Sequence, residues 1–71
     1  MKLRDRHKTI LGFLAEQQAP TMTRPIAEVI ESKSLENTRN MLYRLEDAGF
    51  VSSVSGTRVW WQITEMGRAA L

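Results

Sequence analysis

The sequence contains no cysteine, one histidine, two prolines and four glycines among its 71 residues. Without cysteine there is neither a disulfide nor a thiolate metal site, which fits a reducing compartment. The longest nearly unbroken apolar stretch, residues 10–15, is far shorter than the ~20 residues that a membrane-spanning helix needs. We therefore expect a cytoplasmic protein with no membrane segment and no cofactor.

Residues suited to catalysis are also scarce. His7 falls on the apolar stripe of a predicted helix, so we expect a packed or half-buried imidazole rather than a catalytic one. There is no glycine-rich phosphate loop, and the nearby carboxylate pairs lie on polar helix faces. The sequence does not indicate an enzyme, and no motif for a small-molecule ligand is evident.

The composition, 42% hydrophobic and 25% charged, is typical of a globular chain. Its length predicts one domain over residues 1–71, near the lower limit for a single unaided core. The formal net charge is only +2. Because phosphate neutralisation supplies much of DNA affinity, so sparse a charge predicts modest DNA binding by a monomer.

Residues 34–48 predict an amphipathic helix with a clear beginning and end. Ser34 is a good N-cap because its hydroxyl can accept a hydrogen bond from the first turn. Gly49 follows where helices favour a left-handed residue. One apolar stripe is formed by Thr38, Met41, Leu42, Leu45 and Ala48. The opposite face is rich in side chains that can reach bases and phosphates: Glu36, Asn37, Arg39, Asn40, Tyr43 and Arg44.

Three further helices and a hairpin are predicted around this helix. Apolar spacing places a first helix at about residues 3–18, ahead of Pro20. Thr23 is expected to cap a short second helix that carries Pro25 in its first turn. Thr64 is expected to cap a last helix over residues 65–71.

Strands at about residues 51–55 and 58–63 flank Gly56-Thr57, which is typical of a hairpin turn. In the second strand, apolar and more polar side chains alternate. We expect Val59, Trp61 and Ile63 to face the core, and Arg58, Trp60 and Gln62 to face solvent.

This order of elements resembles the winged helix-turn-helix of small bacterial and phage regulators of the MarR, PadR and ArsR kind. Residues 22–30 resemble their second helix, residues 35–51 their recognition helix, and residues 58–71 their second wing strand and C-terminal helix. The resemblance implies an α+β, mainly helical fold of three helices, a two-stranded hairpin wing and a short C-terminal helix. The long flanking helices by which larger regulators dimerise have no counterpart in this sequence.

The resemblance also implies double-stranded DNA as the partner, with the third helix in the major groove. Asn side chains favour adenine and Arg side chains favour guanine there. We expect Glu36 mainly to stabilise the helix N-terminus, with a contact to cytosine as the alternative. The residues expected to contact DNA are Thr23, Arg24, Asn37, Arg39, Asn40, Tyr43, Arg44 and Arg58.

Other side chains have less specific expectations. Glu46 and Asp47 would repel phosphate, so we expect both to face away from DNA. Trp60 is expected to be exposed and to form a dimer or partner interface. The basic residues of the first helix either form a solvated face or contact the DNA phosphate backbone; they are Lys2, Arg4, Arg6 and Lys8.

These features predict a sequence-specific transcriptional regulator that binds palindromic DNA as a homodimer, because one short helix reads only a few base pairs. The small size suggests a phage or other mobile element. One alternative is a protein-interaction module using the third helix and Trp60, which the acidic residues within residues 21–50 favour. Another is an architectural or replication-associated DNA binder without sequence preference.

Overall fold

Three helices pack around one apolar core, and a small antiparallel sheet closes it. The computed structural model describes residues 2–71. The elements are α1 (Asp5–Glu16), β1 (Thr21–Met22), α2 (Thr23–Val29), α3 (Leu35–Asp47), β2 (Val51–Ser55), β3 (Val59–Ile63) and α4 (Glu65–Ala69). The predicted α+β, mainly helical class is confirmed. No helix within residues 2–71 is both long and apolar enough to cross a membrane.

The sheet has three strands in the order β1-β3-β2, where the sequence predicted only two. The added strand β1 pairs Thr21 with Trp61 and Met22 with Trp60. Two residues are too few to show a strand periodicity, so β1 could not be predicted from the sequence. The β2–β3 loop is also longer than predicted. Ser55 pairs with Val59, so Arg58 belongs to a three-residue loop rather than to the strand.

Trp61 lies at the centre of the core and is fully buried. Its indole Nε1–H donates to Thr23 Oγ1 over 3.0 Å, which satisfies the buried N–H. Val59 and Ile63 are half-buried beside the same core, whereas Trp60 and Gln62 are exposed. The predicted alternation along β3 is therefore confirmed.

Helix α3 begins and ends as predicted. Ser34 Oγ accepts from the Asn37 backbone N–H over 3.1 Å. At the other end Gly49 has φ +91°, and Gly49 and Phe50 donate their N–H groups to the carbonyls of Glu46 and Leu45. This pair of bonds is the Schellman motif that a left-handed glycine permits. On the predicted stripe Thr38, Leu42 and Leu45 are buried, and Met41 and Ala48 are half-buried.

The predicted ends of α1 and the predicted N-cap of α2 were wrong. Helix α1 is shorter than residues 3–18, because Arg4 and Gln17 already have extended backbone and act as its caps. Thr23 is not the N-cap of α2: Met22 occupies that position, and the Thr23 hydroxyl bonds to Trp61 instead. Pro25 lies in the first turn, as predicted.

The last helix is capped as predicted, but ends at Ala69 rather than at residue 71. Thr64 Oγ1 accepts from the Gly67 N–H over 3.1 Å and donates to the Gly49 carbonyl over 2.6 Å. One hydroxyl thus starts α4 and ties it to the end of α3.

Candidate nucleic-acid interface

The exposed face of α3 is a polar ridge with a groove on each side. Glu36 and Asn40 lie on the ridge, opposite the buried stripe. The hairpin-side groove lies between α3, α2 and the β2–β3 loop, and the α1-side groove lies between α3 and the start of α1. Because helical residues three or four apart share a flank, α3 contributes different side chains to the two grooves.

The hairpin-side groove has a volume of about 580 Å³ and brings three arginines together. Arg24 comes from α2, Arg39 from α3 and Arg58 from the β2–β3 loop. Arg58 Nη1 lies 3.7 Å from Met22 Sδ, so its guanidinium is turned into the groove. Glu28 is the acidic residue among those that line it. Arg24, Arg39 and Arg58, all predicted DNA contacts, therefore lie along one surface.

Tyr43 lines the same groove and also supports the core. Its ring packs edge-to-face against Trp61, with centroids 5.2 Å apart and an interplanar angle of 77°. The side chain is still 42% exposed. Tyr43 therefore links the buried indole to the outer surface of α3, a packing role that the sequence analysis did not anticipate.

The α1-side groove has a volume of about 920 Å³. Asn37, Asn40 and Arg44 line it from α3. Lys2 and Arg4 line it from the segment before α1, and Asp47 is the acidic residue present. For Lys2 and Arg4 the sequence predicts either a solvated face or contact with the DNA phosphate backbone. The fold brings both beside predicted DNA contacts.

His7 lies at the floor of the α1-side groove and is buried, as predicted. Its Nδ1 accepts from the Arg4 backbone N–H over 3.0 Å, which caps α1. The pKa of His7 is lowered below 6.5, first by burial and then by the positive charges of Arg4 and Arg44. An uncharged imidazole is also what the Arg4 hydrogen bond requires, because only unprotonated Nδ1 can accept.

The two grooves carry most of the positive charge of the protein. They are lined by six of the ten basic side chains and two of the eight acidic ones, so their formal net charge is +4. Since the whole chain carries +2, the remaining surface carries −2. Counting charge along the sequence could not detect this separation, because the charged residues of the grooves come from four segments: the residues before α1, α2, α3 and the β2–β3 loop.

Thr23, Glu46 and Asp47 are placed differently relative to the two grooves. Thr23 lines the hairpin-side groove but is only 8% exposed, and its oxygen accepts from the Trp61 indole N–H. Glu46 faces away from the ridge, where its Oε2 accepts from the Ser53 N–H over 3.0 Å and from the Ser53 hydroxyl. Asp47, however, lines the α1-side groove, which contradicts the expectation that it faces away with Glu46.

Trp60 lies on the outer face of the sheet, away from the core. It is 39% exposed and pairs across the strands with Val54 and Met22. Val54 is 46% exposed, so the two form an apolar pair on this face. Within residues 2–71 no three His, Cys, Asp or Glu side chains lie close enough together to hold a metal ion.

Neither a protein-family model nor a curated protein matches this chain in sequence. Solved structures do match in fold. A MarR family transcriptional regulator from Silicibacter pomeroyi DSS-3 aligns with a TM-score of 0.83 at 22% identity, over 96% of this chain and 48% of its own. The chain has the winged-helix fold.

Two other matches extend the comparison with winged-helix regulators. Lactococcus lactis ZitR in complex with DNA gives a TM-score of 0.79 at 27% identity, over 93% of this chain and 46% of ZitR. A possible HxlR family transcriptional factor from Thermoplasma volcanium GSS1 gives a TM-score of 0.79 at 21% identity, over 94% of this chain and 62% of that protein. The winged-helix chain thus spans about half the length of most solved structures it matches. The predicted resemblance is confirmed for the fold.

Proposed function

We propose that this protein binds double-stranded DNA in a sequence-specific way and acts as a small transcriptional regulator, with α3 in the major groove and the β2–β3 hairpin as the wing. The observation that carries the proposal is the polar ridge of α3 between two grooves with a combined net charge of +4. Such a surface offers hydrogen-bonding groups to base edges and cations to the phosphates beside them.

The residues divide into two roles under this proposal. Asn37, Arg39 and Asn40 lie in the N-terminal half of α3, which is the part that meets base edges in helix-turn-helix proteins. Arg24 and Arg58 lie at the edges of the hairpin-side groove and contact phosphate or the minor groove. Tyr43 and Arg44 contact the DNA phosphate backbone beside α3. Thr23 is left out of the proposed set because it is only 8% exposed.

The similar regulators support this assignment. Several are transcription regulators, and ZitR has been solved in complex with DNA at 27% identity to this chain. The similarity to ZitR in complex with DNA covers 93% of this chain.

We further propose that two copies bind one palindromic site. One α3 reads only a few base pairs, and each good bidentate contact contributes ~1–3 kcal/mol, so a second copy doubles the information read. The exposed Trp60 and Val54 supply an apolar surface for contact between copies. The same surface favours the second candidate function, a winged-helix module that binds another protein.

Selection of bound sequences from random duplex DNA, at about physiological salt, tests the proposal. Wild type is expected to enrich a palindrome, and Arg39→Ala is expected to lose the preference at particular positions while staying folded. Lys33→Ala, an exposed cation just before α3 that lines neither groove, is the matched control. DNA binding without enrichment would indicate an architectural role. A folded protein that retains no DNA would favour the protein-interaction module.

A further inference from the structure

We propose that the segment Lys2–Arg4 is a second phosphate-binding element, which contacts the DNA strand on the side of α3 opposite the hairpin. The inference rests on the proposed function and adds to it. The hairpin and α2 would account for contacts to only one phosphate backbone of the DNA duplex. The residues that precede the first helix line the α1-side groove, where they contact the other phosphate backbone.

The position of the segment is fixed by the fold. Leu3 packs against the hydrophobic core, and the Arg4 backbone N–H is bonded to the buried His7. Arg4 has extended backbone, with φ −97° and ψ 174°. Successive side chains of an extended segment point to opposite sides. With Leu3 inward, Lys2 and Arg4 therefore face out together, and both line the α1-side groove.

The α3 side of that groove is chemically matched to DNA. Asn37, Asn40 and Arg44 form this wall, and the lining cations Lys2, Arg4 and Arg44 outnumber the one carboxylate, Asp47. His7, on the floor, is held uncharged by burial and by its hydrogen bond. The groove therefore attracts an anion, and the polar side chains of α3 that line it are the ones proposed to read bases.

The geometry of the duplex explains why a second basic flank is useful. The major groove is about 12 Å wide, and a helix with its side chains is about 10–12 Å across. A helix seated there has a phosphate backbone on each side. Arg24 and Arg58 stand on one side of α3, whereas Lys2 and Arg4 stand on the other.

The helix α1 offers a matched control. Arg6 and Lys8 are exposed cations of the same helix, but they line neither groove. The double variant Lys2→Ala/Arg4→Ala therefore removes the same charge as Arg6→Ala/Lys8→Ala, but from the groove rather than from the exposed face of α1. Arg4→Ala keeps the backbone N–H that caps α1, so both variants are expected to stay folded.

The experiment measures the affinity for a mixed-sequence duplex over a range of salt concentrations. Each lost phosphate contact reduces the slope of log affinity against log salt by about 0.9, so Lys2→Ala/Arg4→Ala should lower it by about 1.8. Arg6→Ala/Lys8→Ala should leave the slope near that of wild type. Equal slopes for the two variants would overturn the inference.

A second measurement needs no substitution. His7 is the single histidine, so its imidazole signals can be followed by NMR without overlap. His7 lies on the floor of the proposed phosphate site between Arg4 and Arg44, so binding of the duplex should shift these signals. Unchanged His7 signals in the bound state would also overturn the inference.

The two proposals can fail separately. If wild type binds no duplex at all, the proposed function fails and the segment has no phosphate to contact. If Arg39→Ala weakens binding while Lys2→Ala/Arg4→Ala leaves the salt slope unchanged, α3 is the DNA-binding element and only the inference about Lys2 and Arg4 is wrong.

Discussion

Gly67 and Gly12 both lie inside helices, yet their surroundings differ completely. A Cβ at Gly67 would collide with the Phe50 carbonyl oxygen and stand 2.7 Å from Ile63 Cγ1. At Gly12 a Cβ would meet nothing within 4 Å. The absence of a side chain at Gly67 thus lets α4 lie directly on the end of α3. The sequence alone does not distinguish these two glycines.

We predict opposite effects of alanine at these positions. Gly67→Ala should lower the free energy of unfolding by about 1–3 kcal/mol, because the collision is with backbone that cannot move aside cheaply. Gly12→Ala should raise it by about 0.5–1 kcal/mol through better helix propensity. Urea denaturation of both variants measures the difference. Equal or reversed effects would contradict the described packing of α4.

His7 makes the stability of the protein depend on pH. Its folded-state pKa is below 6.5, so between that pKa and 6.5 the unfolded chain binds more protons than the folded one. The stabilisation is therefore complete above pH 6.5 and is lost as the pH falls through the folded-state pKa.

His7→Gln is the matched variant for this prediction. A glutamine at this third helical position can still accept from the Arg4 N–H but does not titrate. Urea unfolding at a series of pH values should show wild type losing stability relative to His7→Gln below pH 6.5, with no such trend above it. Parallel pH profiles for the two proteins would contradict the placement of His7.

At the scale of elements, the turn between α2 and α3 is closed by a residue that is poorly suited to it. Glu31 has φ +54°, the left-handed conformation. The Glu31 N–H donates to the Glu28 carbonyl and the Ser32 N–H to the Ala27 carbonyl, which completes a Schellman motif. The same motif ends α3, where Gly49 adopts the left-handed conformation without a Cβ penalty.

Glu31→Gly is therefore predicted to stabilise the protein. The left-handed conformation costs a residue with a Cβ about 1–2 kcal/mol, which is partly offset by the extra freedom of glycine in the unfolded chain. We expect a net gain of up to about 1 kcal/mol, measured as a higher urea midpoint with an unchanged slope. Glu31→Ala keeps the Cβ and should give no comparable gain. A loss of stability in Glu31→Gly would show that the turn is held differently.

Elements with strong local signals could be predicted from the sequence. Helix α3 has a capping Ser34, a regular apolar stripe and a terminal Gly49, and its bounds were close to those found. Strand β1 has no local signal, because only its pairing with β3 makes it a strand. Thr23 was misassigned as a cap because its hydroxyl is recruited by Trp61, 38 residues away. Such contacts depend on tertiary packing, which no local pattern encodes.

At the scale of the whole molecule, folding separates the charges. The sequence supplied Arg24, Arg39 and Arg58 as candidate contacts, and the fold brings all three to one groove. It could not assign Lys2 and Arg4, because their approach to α3 depends on how α1 packs across the core. The charges that line the two grooves sum to +4, whereas those of the rest of the chain sum to −2 and include Glu36 on the ridge between the grooves.

Under the proposed function, DNA contacts the ridge of α3 and the two grooves beside it. Mapping of backbone amide and indole NMR shifts during titration with duplex DNA tests this most directly. We predict that the largest changes occur over residues 36–44, near Arg58 and at residues 2–4. Changes confined to Trp60, Val54 and the outer face of the sheet would contradict the proposed contact of DNA with α3 and its grooves.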